Sequence, residues 1–278
     1  MFNTIGVIGF GTVGTALKAA FEGKIRILIC DPPKSQHETI ENLVKSCSVI
    51  FVSVPTEQLL DGHADTTIFE HVIAEIGRSL TDALCPIICV KSAVPPLTIR
   101  RIETLYPNMK IVVSPEFLRE KSSIDDMLAM RSLVLGSRER KNCELIYELF
   151  SCHSNIKGKM RLYILPDAVS AAFLKYQENS FLAMKVSFMN EFYHIFQALE
   201  SQASWEQLQA AFHRDHERMG MTHWEVPGSD SMFGWGGRCF PKDIAALRAF
   251  ASELNCTTTL MNAVVTRNEQ DRIVKSNE

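Results

Sequence analysis

Cys239 is the residue whose surroundings best suit covalent chemistry. It lies in the segment 233–243, FGWGGRCFPKD, where three glycines precede it and a proline follows. Glycines let the backbone lie close to a ligand, and a thiol beside a helix start and basic side chains is activated as a nucleophile. Asp243 stands four residues later, at the predicted N-cap of a helix over residues 243–254. From these residues alone, a buried cysteine in a tight turn is an equally good interpretation.

Lys175 and Asn179 form a second candidate pair. They are four residues apart and would therefore share one face of a helix. An ammonium and an amide that project together can hold a substrate oxygen as it gains negative charge. A solvated pair on the helix surface is the alternative, and the two residues alone favour it.

The segment 114–120, SPEFLRE, offers two carboxylates, Glu116 and Glu120. It comes just after a predicted strand, at the edge where open α/β sheets bind their ligands. The residues alone favour an ordinary solvated turn over a catalytic acid.

The amino-terminal end carries a pattern typical of dinucleotide binding. Residues 9–14, GFGTVG, follow a predicted strand and open a predicted helix, which is the context that G-x-G-x-x-G requires. The first glycine allows a tight turn, the second lets the backbone approach a pyrophosphate, and the third lets helix and strand pack closely. The helix start adds amides and a positive dipole. The predicted cofactor-binding residues of this turn are Gly9, Gly11, Thr12, Val13 and Gly14.

Asp31 ends the second predicted strand, about where a carboxylate binds the adenosine ribose hydroxyls. An acid at this position repels a 2′-phosphate. The sequence therefore predicts NAD as the cofactor rather than NADP. The alternative is a purely structural glycine turn, with Asp31 as a helix cap.

The elements that must position these residues alternate between strand and helix in the first half of the chain. This alternation is typical of a parallel α/β sheet, and it predicts a Rossmann-type, NAD-binding domain over residues 1–160. The predicted strands are 4–9, 25–30, 48–54, 86–91, 110–114 and 132–136, and the predicted helices include 39–47, 67–80, 96–106 and 139–152.

The second half predicts a mainly helical domain, residues 161–278, that carries the catalytic cysteine loop. Residues 167–199 contain no Gly or Pro and predict one helix longer than a globular domain usually needs. Such a helix commonly bridges domains or packs against a second subunit. A second helix is predicted over residues 204–218, and the glycine-rich segment 219–243 is a predicted functional loop.

Composition excludes several functional classes. The net charge of −3 is spread along the chain, so the sequence predicts no nucleic-acid partner. No apolar run approaches the roughly 20 residues that span a bilayer, so no membrane partner is expected. The eight cysteines include no C-x-x-C pair, which favours reduced thiols over disulfides or a metal site. These features predict a cytoplasmic enzyme.

Taken together, the segments resemble the UDP-glucose/GDP-mannose dehydrogenase family. The matching stretches are GFGTVG, VPTE, VKSAVPPLT, SPEFLRE, KYQENSFLAMKVSFMNE and GWGGRCFPKD, in the family's order and over nearly the whole chain. The resemblance implies NAD-dependent oxidation of a sugar C6 alcohol to a carboxylate, in two hydride transfers through a cysteine thioester. UDP-glucose is the favoured substrate, with UDP-glucuronate as its product, and a homodimer is the implied assembly.

The resemblance also implies a role for each matched residue. Cys239 is the nucleophile. Its oxyanion and proton-transfer site is shaped by Lys175, Asn179 and Asp243. Glu116 is the acid beside the hydrolytic water.

The remaining implied residues bind substrate or cofactor. Glu120 is the second carboxylate of the site, and Arg218 reaches the sugar site of a neighbouring subunit. The other implied positions are Phe117, Leu118 and Gly236 for the substrate, and Pro55 and Thr56 for the cofactor.

Three departures from the family pattern leave room for other functions. Ala93 stands where the family usually has Thr, the loop before Cys239 is long, and the sequence ends at Glu278, where the family continues into a third, nucleotide-gripping domain. We therefore expect a short form without that domain. One alternative is a β-hydroxyacid dehydrogenase, which makes one hydride transfer and needs no cysteine. Another is a non-catalytic homologue that binds NAD or a nucleotide.

Overall fold

The computed structural model describes residues 2–31, 38–81, 83–215, 220 and 222–273. Its contacts divide the chain into two compact units, Met1–Lys175 and Tyr176–Glu278. The first unit is an α/β domain and the second is helical. None of the helices in the described ranges is both long and apolar enough to cross a bilayer.

A seven-stranded sheet forms the centre of the first unit. Its strands are β1 (Thr4–Ile8), β2 (Arg26–Cys30), β3 (Val49–Val52), β4 (Ile87–Val90), β5 (Lys110–Val113), β6 (Ser132–Gly136) and β7 (Arg161–Leu165). They lie in the order β2-β1-β3-β4-β5-β6-β7, and neighbouring strands are parallel except β5 and β6, which pair antiparallel through Val113 and Gly136. This sheet confirms the predicted fold class.

Helices cover both faces of this sheet, because successive side chains of each strand point to opposite faces. The helices are α1 (Thr12–Phe21), α2 (Ile40–Ser46), α3 (Thr67–Ser79), α4 (Pro96–Leu105), α5 (Ser123–Leu128) and α6 (Arg140–Cys152). On β3, Ile50 and Val52 pack in the layer that includes α2, α3 and α4, whereas Val49 and Phe51 pack in the layer that includes α1, α5 and α6.

Strand β7 was not among the predicted strands. It lies at the edge of the sheet, and all five of its residues stay exposed or half-buried. A strand of this kind lacks the fully buried apolar run that marks the central strands β3 and β4.

The long predicted helix is confirmed as α7, Ala168–Ala198. Its first turns belong to the first unit, where Ala168, Ala171 and Ala172 join the sheet's core. The second unit contains the rest of α7 together with α8 (Trp205–Phe212), α9 (Phe240–Glu253) and α10 (Thr259–Ile273). Ala183, Trp235, Ile244 and Val264 form the small core of this unit.

Two predicted helices have a boundary that differs by more than one residue from the observed boundary. Helix α8 ends at Phe212 and is followed by the 3-10 turn His213–Asp215, so it is shorter than the predicted helix 204–218 within the described residues. Helix α9 begins at Phe240, three residues before the predicted start, with Pro241 in its first turn. Proline favours the first turn of a helix, where its missing N–H costs nothing. The prediction of Asp243 as N-cap is therefore wrong, and Cys239 occupies that position.

Candidate active site

The glycine turn after β1 is built as the sequence predicts. Gly9 has a φ of +86°, and its N–H donates to the Cys30 carbonyl at 3.0 Å. A side chain at Gly14 would bring its Cβ within 2.3 Å of the Gly9 carbonyl oxygen. Glycine is thus required at both positions by backbone packing alone.

Gly11 differs from these two glycines, because within the described residues no atom beyond its chain neighbours lies within 4 Å of where its Cβ would be. It stands at the N-cap of α1, where no side chain caps the helix and no acidic residue lies in the first turn. The first amides of a helix lack intrahelical partners and attract anions. This open, uncapped turn at Gly11, Thr12 and Val13 therefore fits the pyrophosphate of a dinucleotide.

The other predicted cofactor residues lie at the carboxyl ends of β2 and β3. Asp31 follows β2, and its Oδ2 accepts a hydrogen bond from the Phe10 N–H at 3.0 Å, so this carboxylate also holds the glycine turn in place. Pro55 is exposed, whereas Thr56 is buried and its hydroxyl donates to the Ala93 carbonyl at 3.1 Å. Direct contact of Asp31, Pro55 or Thr56 with the cofactor remains a prediction.

Glu116 follows β5 and is buried with a cation that the sequence analysis did not single out. The Lys91 ammonium lies 3.0 Å from Glu116 Oε2 and donates to the Ser114 hydroxyl at 2.9 Å. The Lys91 side chain is 1% exposed and the Glu116 side chain is 9% exposed. A lysine placed directly after the buried strand β4 was the available signal, since lysine is seldom buried without a charged partner.

Lys175 lies in the same unit as Glu116 and contacts its backbone. The Lys175 ammonium donates to the Glu116 carbonyl at 2.5 Å and lies 4.9 Å from the centroid of the Phe117 ring. The structure therefore brings three predicted site residues together. Leu118 packs instead against the core beside α1, α5 and α6.

Cys239 and Asp243 occupy the start of α9 in the second unit. Cys239 is exposed, and its carbonyl accepts a hydrogen bond from the Asp243 N–H at 3.0 Å. The Asp243 carboxylate is buried between two donors, Asn179 Nδ2 at 2.5 Å and Lys242 Nζ at 2.7 Å. Burial, and secondarily the charge of Asp243, raises the pKa of Tyr176 well above its ordinary value, so this phenol stays neutral.

Other cysteines of the chain differ from Cys239 in their surroundings. Burial raises the pKa of Cys30 and Cys143 to about 11. It raises that of Cys47 and Cys89 to about 12. Because the thiolate is the reactive form, these four buried thiols are poor nucleophiles at neutral pH.

Of the remaining predicted site residues, one has an observed packing contact, and the side chains of two are not described by the structure. The Arg272 guanidinium lies beside Gly236, and its Nη2 would be 2.1 Å from a Cβ at this position, so a larger residue would displace Arg272. Substrate binding by Gly236 stays a prediction. Arg218 and the side chain of Glu120 lie outside the described part of the structure.

Two sequence models of one family match the two halves of this architecture. Residues 31–153 match the NAD binding domain of the UDP-glucose/GDP-mannose dehydrogenase family, and residues 169–270 match its central domain. The chain belongs to this family. The match also confirms NAD as the cofactor predicted from the glycine turn and Asp31.

Several relatives of similar sequence are named UDP-glucose 6-dehydrogenases. A putative UDP-glucose 6-dehydrogenase of Bacillus subtilis is 34% identical over 232 residues, covering 81% of this chain and 51% of that protein. A UDP-glucose 6-dehydrogenase of Pseudomonas aeruginosa is 30% identical over 234 residues, covering 81% and 49%. The chain thus spans about half the length of these relatives.

Solved structures share the fold at lower identity. A UDP-glucose dehydrogenase from Pyrobaculum islandicum matches with a TM-score of 0.73 at 23% identity, over 97% of this chain and 68% of that one. A 3-hydroxyisobutyrate dehydrogenase from Mycobacterium tuberculosis matches with a TM-score of 0.77 at 15% identity, over 99% and 96%. Both likenesses concern the fold alone.

Proposed function

We propose that this chain oxidises the C6 alcohol of a nucleotide sugar to a carboxylate, with UDP-glucose and UDP-glucuronate as the favoured substrate and product. The observation that carries this function is the start of α9. There an exposed thiol, Cys239, stands one helical turn before a buried carboxylate, Asp243, that Asn179 and Lys242 hold in place. A single oxidation of an alcohol to a ketone would need no such thiol.

The open turn at Gly11, Thr12 and Val13 is the proposed site of the NAD pyrophosphate, and Asp31 is the proposed partner of the adenosine ribose. NAD, when bound, supplies the hydride acceptor for each of the two oxidations. The protein's own tasks are to bind and orient the sugar, to hold the intermediate aldehyde, and to move protons.

Cys239 holds the aldehyde covalently in this mechanism. Its Sγ attacks the aldehyde carbon, forming a C–S bond while the carbonyl oxygen takes up a proton, and this yields a thiohemiacetal. The second oxidation removes a hydride and that proton to leave a thioester. Water then adds to the thioester carbon, and cleavage of the C–S bond releases the carboxylate and returns the thiol.

The remaining site residues stabilise charge and move protons. Lys175 and Asn179, one turn apart on α7, are the proposed donors to the oxygen that gains negative charge at C6. Asp243 is the proposed acceptor and donor of the proton that the substrate oxygen loses and regains, because it is buried and lies one turn from Cys239. Glu116 is proposed to orient the water that cleaves the thioester, and Glu120 to supply a second carboxylate.

The number of NADH molecules formed per product separates this function from its alternatives. With nucleotide sugars supplied one at a time, we expect two NADH per uronic acid from UDP-glucose, and far less product when NADP replaces NAD. One NADH per product from a β-hydroxyacid would instead support the single-hydride alternative. NAD binding without NADH from any nucleotide sugar or hydroxyacid would support a non-catalytic homologue.

We also propose that the chain forms a homodimer through the carboxyl-terminal half of α7. Large apolar side chains at Phe188, Phe192, Ile195 and Leu199 are 46–68% exposed and recur at the spacing of one helix face. They line a groove of about 330 Å³ with α8. Large exposed apolar patches mark interaction surfaces, and a second copy of this helix would cover the patch with like residues.

The oligomeric state can be measured by light scattering at micromolar concentration. We expect a dimer for the unmodified chain and a monomer for Ile195→Glu, with unchanged helix content by circular dichroism. A matched exposed substitution elsewhere, Leu105→Glu on α4, should leave the dimer intact. A monomeric unmodified chain with full activity would contradict the dimer.

A further inference from the structure

The segment just before Cys239 is held by side chains from two helices of the same unit. The Gly234 N–H donates to Asn190 Oδ1 of α7 at 3.0 Å, and the Trp235 N–H donates to Asn268 Oδ1 of α10 at 2.6 Å. All four residues are buried. A loop fixed through its own backbone amides has little freedom, because releasing either amide leaves a buried polar group without a partner.

Trp235 and Gly236 are held at further points. The Trp235 indole is 6% exposed, and its Nε1 donates to the Ser187 hydroxyl at 2.9 Å. Arg272 Nε donates to the Trp235 carbonyl at 3.0 Å, and its guanidinium covers Gly236. Arg272 Nη1 also donates to Asp230 Oδ2 at 2.9 Å, so one side chain joins Asp230 to Trp235 within the loop.

The fit between Asn268 and the loop is close enough to require glycine. Gly234 has a φ of +72°, and a Cβ at this position would lie 2.4 Å from Asn268 Oδ1. The amide side chain of Asn268 therefore lies directly against the loop backbone and leaves no space for a larger residue at position 234.

Cys239 stands a short distance beyond these anchors. Gly237 and Arg238 alone separate it from Gly236, and on its other side the Asp243 N–H fixes its carbonyl at the start of α9. The position of the thiol is thus set from both sides. A change at Asn268 would shift or loosen the first of these two anchors without touching the second.

We infer that Asn268 is a positioning residue for Cys239, acting through the Trp235 amide, with Asn190, Ser187 and Arg272 completing the same loop anchor. None of these four side chains belongs to the catalytic set proposed above. The consequence for turnover rests on the proposed function, whereas the consequence for the reactivity of the thiol does not.

Asn268→Ala tests this role against a matched control. Asn268→Asp keeps an acceptor oxygen for the Trp235 amide, and Asn262→Ala removes the same residue type from the same helix at a position that faces Arg248 and Thr258. Trp235→Phe removes the indole donor to Ser187 and part of the buried ring while keeping the backbone amide that Asn268 binds, and it provides a second variant should Asn268→Ala not fold.

Two readouts are measured on each variant. The first is the rate at which N-ethylmaleimide modifies Cys239, followed by peptide mass spectrometry with the exposed Cys152 and Cys256 as internal references. The second is kcat and the KM for NAD with UDP-glucose. Loss of one buried hydrogen bond should lower kcat about five- to tenfold in Asn268→Ala and leave the KM for NAD within about twofold.

The same loss should make Cys239 react about threefold faster or more, since a loosened segment presents its thiol more often. Asn268→Asp should restore both values, and Asn262→Ala should change neither. Unaltered reactivity of Cys239 in both Asn268→Ala and Trp235→Phe would overturn the inference whatever the activity. A changed reactivity in a chain that oxidises no nucleotide sugar would support the positioning role while refuting the proposed function.

Discussion

Under the proposed function, replacing Cys239 with alanine is expected to abolish uronic acid production, lowering kcat for the acid by a factor of at least about 10³. Without the thiol, the aldehyde has no covalent anchor, and water alone would have to carry it to the second oxidation. The first oxidation needs no covalent bond, so a slow release of aldehyde and of one NADH should persist. The measurement is the yield of acid, aldehyde and NADH from UDP-glucose.

Serine at the same position should behave differently from alanine. In Cys239→Ser the covalent intermediate would be an ester, whose leaving group is poorer than that of a thioester. This adduct should therefore accumulate and add the mass of the sugar nucleotide to the peptide that contains residue 239. Cys152→Ala and Cys256→Ala are the controls, because both of these thiols are exposed as Cys239 is. Acid production by Cys239→Ala at near the unmodified rate would refute the covalent mechanism and favour the single-hydride alternative.

Lys91→Met is expected to destabilise the first unit by about 3–5 kcal/mol, because it leaves the Glu116 carboxylate buried without its cation. Methionine keeps most of the volume of the lysine stem, so the loss comes from charge rather than from a cavity. The free energy of unfolding is measured in urea, with the signal taken from the first unit.

Two further variants separate charge pairing from packing. Adding Glu116→Gln to Lys91→Met removes the unpaired charge and should recover more than half of the lost stability, since a neutral amide is far less costly to bury. Lys45→Met breaks the exposed pair with Glu41 and should change stability little. Equal losses of unfolding free energy in Lys91→Met and Lys45→Met would show that the buried ion pair contributes no more to stability than the exposed one.

Features with a local signature were the ones that the sequence predicted. The central strands are continuous apolar runs, the turn at residues 9–14 combines three glycines between a strand and a helix, and α7 is a long stretch without Gly or Pro. Each of these signals is contained within a few turns or one strand of chain. The contact of Lys175 with Glu116 and Phe117 joins three residues that were each predicted singly, and no local pattern predicted the contact itself.

Features that depend on distant partners were missed. Lys91 and Glu116 are 25 positions apart in the sequence, and although a lysine directly after a buried strand indicates a buried cation, no local pattern identifies Glu116 as its partner. The same holds for Asn268, whose partner Trp235 is 33 residues away. The start of α9 was predicted too late for a local reason, because Pro241 lies in the first turn of this helix where the pattern suggested a turn before it.

The separation of 33 residues between Trp235 and Asn268 in the sequence determines which parts of the protein can fold first during synthesis. During synthesis the chain emerges from its amino-terminal end, so Cys239 leaves the ribosome well before Asn268 and Arg272 follow it. Until those residues arrive, the glycines ahead of the cysteine have no anchor from α10. The sheet and its glycine turn can assemble earlier, from strands that are already complete. The nascent protein is therefore expected to pass through an interval in which the glycine turn that would bind NAD has formed, while the segment that carries Cys239 is not yet fixed in position.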